Sequence, residues 1–246
     1  MSKPIALQLY SLREAAAKDY AAVVRRVAAM GYDGVEPAGF PGTTPQAAGK
    51  LFRELGLQVP AAHIFPPPLG DKAAETADIL AAIGCQRIVT GFGRDNFKTI
   101  DDTRRSCDIF NQAYAEAKAR GLRLAIHNHW WEYQPVEGQY PYQIMLKELD
   151  PGIELEIDTY WVKTGGVDPV QAIQEAGPRA TLLHIKDGPA NTTDPMVAVG
   201  TGVMDFPAIL KAAVHAECLI VELDRCATDM FEAVAKSVEY LKRVQS

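Results

Sequence analysis

Short apolar runs alternate with amphipathic segments along the whole chain, and this alternation limits the fold more than any other feature. Ile5–Leu9, Gly34–Glu36, Leu57–His63, Gln86–Thr90, Leu122–His127, Ile153–Asp158, Thr181–Lys186 and Cys218–Leu223 read as strands. Most are compact and apolar, as parallel strands buried on both faces are. The segments between them carry helical spacing. In Lys18–Met30, for example, Tyr20, Val23, Val24, Val27 and Met30 fall on one face. Helical segments also follow Thr43 and Thr44 and cover Asp71–Ile83, Asp101–Arg120, Tyr142–Leu149, Val170–Ala176, Phe206–Ala213 and Thr228–Val244. Gly31, Gly56, Gly84 and Gly121 stand where helices end.

Eight strand–helix units in 246 residues point to a single domain over residues 1–246. A closed (β/α)8 barrel, the TIM-barrel architecture of the α/β class, fits that count better than an open sheet. The open dinucleotide-binding sheet requires G-x-G-x-x-G after the first strand. Ser11-Leu12-Arg13-Glu14 stands there instead, and Gly91-Phe92-Gly93 is too short to replace it. Gly200-Thr201-Gly202 follows a loop, where its backbone N–H groups could meet an anion.

Composition narrows the partners. The net charge of -6 argues against non-specific nucleic-acid binding, which wants a basic surface. No apolar run is long enough for a membrane span, and no signal-like segment opens the chain. Cys85, Cys107, Cys218 and Cys226 show no C-x-x-C spacing, so a zinc ribbon is not expected. A reducing, cytoplasmic location and a small-molecule partner are the expectation, and a homo-oligomer is compatible with it.

The chemistry sits at the strand ends, which in such a barrel converge on one mouth. Asp158, His184 and Glu222 close three consecutive strands and form a ligand set for a borderline divalent ion. A fourth ligand is sought in I-H-N-H-W-W-E, residues 126–132, with Glu132 preferred and His127 next. His127 and His129 could instead touch substrate. Glu156 lies two residues before Asp158 and shares its side, with Lys186 or Arg225 as its expected partner. Lys186 is a candidate to stabilise a developing oxyanion. Glu36 and His63 end the second and third strands and are expected to meet substrate. Trp161 belongs to an aromatic cluster with Trp130, Trp131, Tyr133 and Tyr160 that could stack on a sugar.

These residues make the chain resemble the sugar phosphate isomerase/epimerase superfamily, the xylose isomerase-like TIM barrels. The resemblance rests on G-Y-D-G-V-E (31–36), A-I-H-N-H-W-W-E (125–132), L-E-I-D-T-Y-W (155–161), L-L-H-I-K-D-G (182–188), V-G-T-G-V-M-D-F (199–206) and V-E-L-D (221–224). It covers nearly the whole chain. It implies one divalent metal, Mn2+ first, with Zn2+, Mg2+ or Co2+ as alternatives. Asp158, His184 and Glu222 match three of the superfamily's four ligands. The fifth-strand position that usually carries Glu is His127 here, and the H-N-H-x-x-E form resembles a subgroup of uncharacterised isomerases.

The expected function is a metal-dependent isomerase or epimerase acting on a sugar or keto-sugar through an enediolate. Glu132, Glu156, Glu222 and Lys186 are the catalytic candidates, and Arg225 joins the substrate-binding set. Loss of a β-leaving group from a keto-inositol or 3-keto-glycoside would make the enzyme a lyase or dehydratase. A sugar-binding or partner subunit without activity is the non-enzymatic alternative. Abasic-site endonucleases of similar architecture need a histidine-rich three-metal site, for which five histidines are few.

Overall fold

The computed structural model describes residues 2–245. Eight parallel strands form one sheet: β1 Ile5–Gln8, β2 Gly34–Glu36, β3 Ala62–His63, β4 Arg87–Thr90, β5 Arg123–His127, β6 Glu154–Asp158, β7 Ala180–Ile185 and β8 Cys218–Val221. Their order is β2-β1-β8-β7-β6-β5-β4-β3. The two ends of this series meet through a bridge between Gly34 and Gln58, where Val35 N donates to Gln58 O at 2.9 Å. The barrel is therefore nearly closed, with one thinly laced seam between β2 and β3. The third strand is shorter than the expected Leu57–His63, because Pro60 has no N–H to give a ladder.

Among the described residues ten α-helices accompany the strands: α1 Arg13–Ala16, α2 Tyr20–Ala29, α3 Pro45–Glu54, α4 Asp71–Ile83, α5 Ile100–Ala119, α6 Pro141–Glu148, α7 Thr159–Thr164, α8 Pro169–Ala176, α9 Phe206–Ala212 and α10 Met230–Gln245. Local chemistry sets their starts. Asp19, Thr44, Thr99, Asp168 and Asp205 each accept a backbone N–H in the first turn of the helix that follows. Gly49 lets α3 lie against α4, since a Cβ there would come within 2.2 Å of Ala82 O. The short helix α7 was not expected from the apolar pattern.

Side chains alternate along each strand, so every second residue points into the barrel. At its N-terminal end Arg87 and Arg123 pair with Glu154 and Glu217. Above them lies a plug of mostly small residues, Ala6, Ala61, Val89, Ala125, Leu182, Cys218 and Ile220. The next inward positions carry Gln8, Glu36, His63, His127, Glu156, Asp158 and His184, all polar and mostly buried. The barrel thus has an apolar floor under a polar mouth.

The loop from Gly188 to Met204 is ordered by one carboxylate. Asp187 is fully buried and accepts from Gly188 N at 2.9 Å, Gly200 N at 2.9 Å, Gly202 N at 2.8 Å and Met204 N at 3.2 Å. The Gly200 and Gly202 N–H groups expected to meet an anion are thus directed at the protein's own Asp187. Replacing Asp187 with Ala strands these donors and is expected to cost roughly 3 kcal/mol. Urea unfolding measures that loss, and limited proteolysis should then cut within 188–204 first.

Candidate active site and metal centre

Strands β6, β7 and β8 build the centre. Asp158 divides its two oxygens between tasks. Oδ1 accepts from Trp161 N at 2.9 Å and so starts α7, while Oδ2 faces the barrel axis. Lys186 Nζ is 2.9 Å from Oδ2, yet Oδ2 has no well-directed hydrogen bond and is fully buried. Glu222 Oε2 lies 3.0 Å from His184 Nδ1 and 2.7 Å from Lys186 Nζ. Asp224 Oδ2 lies 2.8 Å from the same ammonium. Lys186 is 1% exposed and holds three carboxylates together.

A second group faces this one across His184. His184 Nε2 lies 2.8 Å from Glu36 Oε2 and 3.2 Å from Glu156 Oε2. Glu36 Oε2 also accepts from Gln8 Nε2 at 2.8 Å. Glu156 Oε2 is 2.7 Å from His63 Nε2 and 3.1 Å from His127 Nδ1. Glu156 therefore pairs with imidazoles and not with Lys186 or Arg225, because its Oε2 points toward β3 and β5.

Electrostatics follows from burial. Burial pushes the Asp158 carboxyl up to about 6, against the pull of Lys186 and His184. Burial and then the neighbouring Glu156 push Glu36 up to about 7. Glu156 is raised as well, again chiefly by burial. Burial opposes charge on His184 and Lys186, but the carboxylates around them prevail and hold both well above their ordinary values. Burial would raise Glu222, yet Lys186 and His184 hold it well below the usual range. His63 and His127 are lowered by burial, and His129 falls to about 3 for the same reason.

A cavity of about 580 Å3 opens above these groups. His63, His127, His129, Lys186, Glu222 and Asp224 line its polar base, and Tyr10, Phe40 and Phe65 line its apolar side. Tyr10, Phe65 and Asp224 were not singled out from the sequence. Asp224 had a readable signal, since it follows Glu222 by two residues at the end of an apolar run.

The structure does not bring every expected residue here. Glu132 sits in a turn after β5, where its Oε2 accepts from His129 N at 2.9 Å. It borders Ile126, Tyr133, Tyr142 and Ile157 behind the strands, outside both ligand groups. The chain turns away from the barrel axis after His129, which carries Glu132 off the mouth. Arg225 is exposed and donates to the carbonyls of Thr192 and Asp194, bracing the 188–204 loop. Trp161 is buried behind Lys186, whose Nζ lies 5.1 Å from its ring centre, and it packs against Trp130.

Burial raises the Glu132 carboxyl to about 8. An acid whose folded-state value is raised contributes stability at low pH that is lost as pH rises from the unfolded value through the folded one. Here that window runs from the ordinary value of 4.5 to about 8. A Glu132→Gln substitution removes the ionisation and keeps an acceptor for His129 N. Its Tm is expected to exceed the wild type's by several degrees above about pH 8, with the gap closing toward about pH 5. Calorimetry across that range checks it.

His127, Asp158, His184 and Glu222 present ligand atoms within 4.8 Å of one another. Two carboxylates and two imidazoles, with Asp158 Oδ2 buried and lacking a directed hydrogen bond, fit a borderline divalent ion. The fourth member of this group is His127, and Glu132 lies outside it. The xylose isomerase-like TIM barrel model matches residues 24–244, and the chain belongs to that family. Among solved structures, the chain is similar to a sugar phosphate isomerase/epimerase from Parabacteroides distasonis ATCC 8503. The identity is 27% and the TM-score 0.83, with 98% of this chain and 93% of that one covered. It also shares its fold with an L-ribulose 3-epimerase (17% identity, TM-score 0.74, 100% and 95% covered). The fold extends to the IOLI protein with a bound zinc atom (14% identity, TM-score 0.73, 98% and 96% covered). None of the curated proteins matches the chain. Among the described residues no helix is long and apolar enough to cross a membrane.

Proposed function

We propose that the protein is a divalent-metal-dependent isomerase or epimerase of a sugar or keto-sugar. The observation that carries this reading is Glu222: a carboxylate held in its anionic form by Lys186 and His184, facing a cavity lined opposite by three neutral imidazoles. Asp158, His184, Glu222 and His127 would hold the metal, with Mn2+ the first candidate and Zn2+, Mg2+ or Co2+ also suited to such donors. When bound, the metal would polarise a substrate carbonyl and make the neighbouring C–H more acidic.

The chain's own residues supply the rest. Glu222 takes the proton from carbon at the β8 side of the cavity, giving an enediolate. Glu156, whose carboxyl burial raises and so keeps protonated, is the candidate to return a proton to the other face for epimerisation, the proton on Glu222 passing to solvent. Return to the adjacent carbon gives isomerisation. Lys186 keeps Glu222 anionic, and its positive charge stabilises the negative charge that develops on the reacting oxygen. Glu36 and Gln8 fix the ring of His184 from behind.

The test is proton exchange. Candidate keto-sugars and 3-keto-glycosides are incubated with Mn2+-loaded protein in D2O and followed by NMR. Deuterium at the carbon beside the carbonyl, with an isomer or epimer as product, is the expected result. An unsaturated product would assign the protein to the lyases instead. No exchange with any keto-sugar, by protein shown to carry metal, would rule the reading out.

A further inference from the structure

We infer that the substrate is an uncharged glycoside carrying an aromatic substituent, and that this substituent lies against a wall made by Tyr10 and Phe65. It rests on the reading of the cavity's base as the sugar site and names what fills the space above that base.

The wall is the first support. Among the described residues the exposed large apolar side chains are Tyr10, Phe65, Val203 and Val214. The two aromatic ones line the same cavity, with Tyr10 43% and Phe65 48% exposed. Leaving such surface in water is unfavourable, and a ligand that covers it gains. Both rings are held by their neighbours. The guanidinium carbon of Arg13 stands 4.3 Å from the centre of the Tyr10 ring, and its nitrogens donate to the carbonyls of Tyr10 and Asp224 at 3.0 and 2.8 Å. Phe65 lies beside His63, ring centres 5.4 Å apart, and above Gly91, where a Cβ would come within 3.0 Å of Phe65 Cε1. Rings fixed in advance lose little freedom when a ligand binds.

The division of the lining is the second support. The polar groups His127, His129, Lys186, Glu222 and Asp224 gather at the base. On the wall, Pro37, Ala38, Phe40, Ile64, Phe65 and Ile79 carry no side-chain donor or acceptor, and the Tyr10 hydroxyl is the exception. A second sugar ring there would bring hydroxyls that lose water and find few side-chain partners. An aromatic ring brings none, and it can pack offset or edge-on against Phe65 and Tyr10. The cavity's volume of about 580 Å3 lies within the range of clefts that enclose drug-sized ligands, which leaves room for a substituent beside the sugar ring.

Charge is the third support. Lys186 is the one Lys or Arg among the described residues that line the cavity, and its ammonium lies within 2.9 Å of oxygens from Asp158, Glu222 and Asp224. Beyond a metal at the base, a phosphate would therefore meet Glu222 and Asp224 and no free cation. The Gly200 and Gly202 N–H groups are already taken by Asp187. A neutral substituent meets none of this repulsion.

The test is a comparison of affinities. Full-length, Mn2+-loaded protein is titrated calorimetrically with phenyl and methyl glycosides of glucose, galactose and mannose, each in plain and 3-keto form, and with the corresponding sugar phosphates and disaccharides. For at least one sugar the phenyl glycoside is expected to bind about tenfold or more tighter than its methyl counterpart, the effect of burying one aromatic ring. Phe65→Ala and Tyr10→Ala should each lower that ratio about threefold or more. A merely structural defect would weaken phenyl and methyl glycosides alike and leave the ratio where it was. Thermal melts identify any variant that has failed to fold, and the wild-type ratio stands without them. Equal phenyl and methyl affinities, tighter binding of a sugar phosphate or a disaccharide, or no binding of any phenyl glycoside overturns the proposal. So does a wall covered by a second copy of the chain, seen by light scattering as a dimer that Phe65→Ala dissociates. A phenyl preference without proton exchange on any keto-sugar leaves this wall standing and removes the isomerase reading, and exchange without a phenyl preference does the reverse.

Discussion

Replacing Lys186 with Met is expected to lower stability by about 3–5 kcal/mol, a shift of roughly 10 °C in Tm for a chain of this size. The ammonium is 1% exposed and lies within 2.9 Å of oxygens from Asp158, Glu222 and Asp224. Met fills most of the same volume, so the loss comes from three carboxylates left facing one another. Bound divalent metal neutralises part of that charge, and the deficit should therefore shrink when Mn2+ is added. Calorimetry with and without metal checks both statements. A variant as stable as the wild type in the metal-free state would show that the carboxylates there are already protonated.

Glu222→Gln is expected to reduce turnover about 1,000-fold or more, the range in which removal of a positioned acid–base group falls. The same change weakens metal retention, because Gln offers a neutral amide where Glu222 offers an anion. It should leave the fold intact. The residue is 5% exposed at the strand end, with the apolar Leu219, Val221 and Leu223 packed in the main core. Deuterium uptake by the substrate separates the two effects. At saturating metal, loss of exchange reports the missing base, whereas restored exchange would assign Glu222 to metal binding alone.

The barrel was legible in the sequence because its signals are local. Glycines at 31, 56, 84 and 121, capping residues such as Thr44 and Asp205, and compact apolar runs mark the units one by one. Residues at strand ends were legible for the same reason: a period of two puts Glu156 beside Asp158 and His127 beside His129. The place of Glu132 was not legible, because the strand period stops applying after His129 and only the turn that follows decides where the side chain goes. The ring of partners around Glu156 was not legible, since it joins β3, β5, β6 and β7 across the barrel. Arg225 was read as a charge near the metal, but its guanidinium is taken by carbonyls at 192 and 194. Nothing local in L-L-H-I-K-D-G marks Asp187, and its role emerges only with four backbone donors around it.

The thin lacing between β2 and β3 has a consequence for how such a protein can change. The candidate ligand group hangs from β5 to β8, where each strand is paired with the next over at least three residues. Pro37–Phe40 and Ile64–Phe65, which shape one wall of the cavity, leave from β2 and β3, whose seam is laced by the bridge to Gln58 and by a hydrogen bond from His63 N to Pro37 O at 2.9 Å. Substitutions on that wall beyond Glu36 and His63 disturb few ladder hydrogen bonds and leave Asp158, His184 and Glu222 on their own strands. A lineage can therefore trial new substrates on the loose side of the barrel while its reaction is inherited intact on the stiff one.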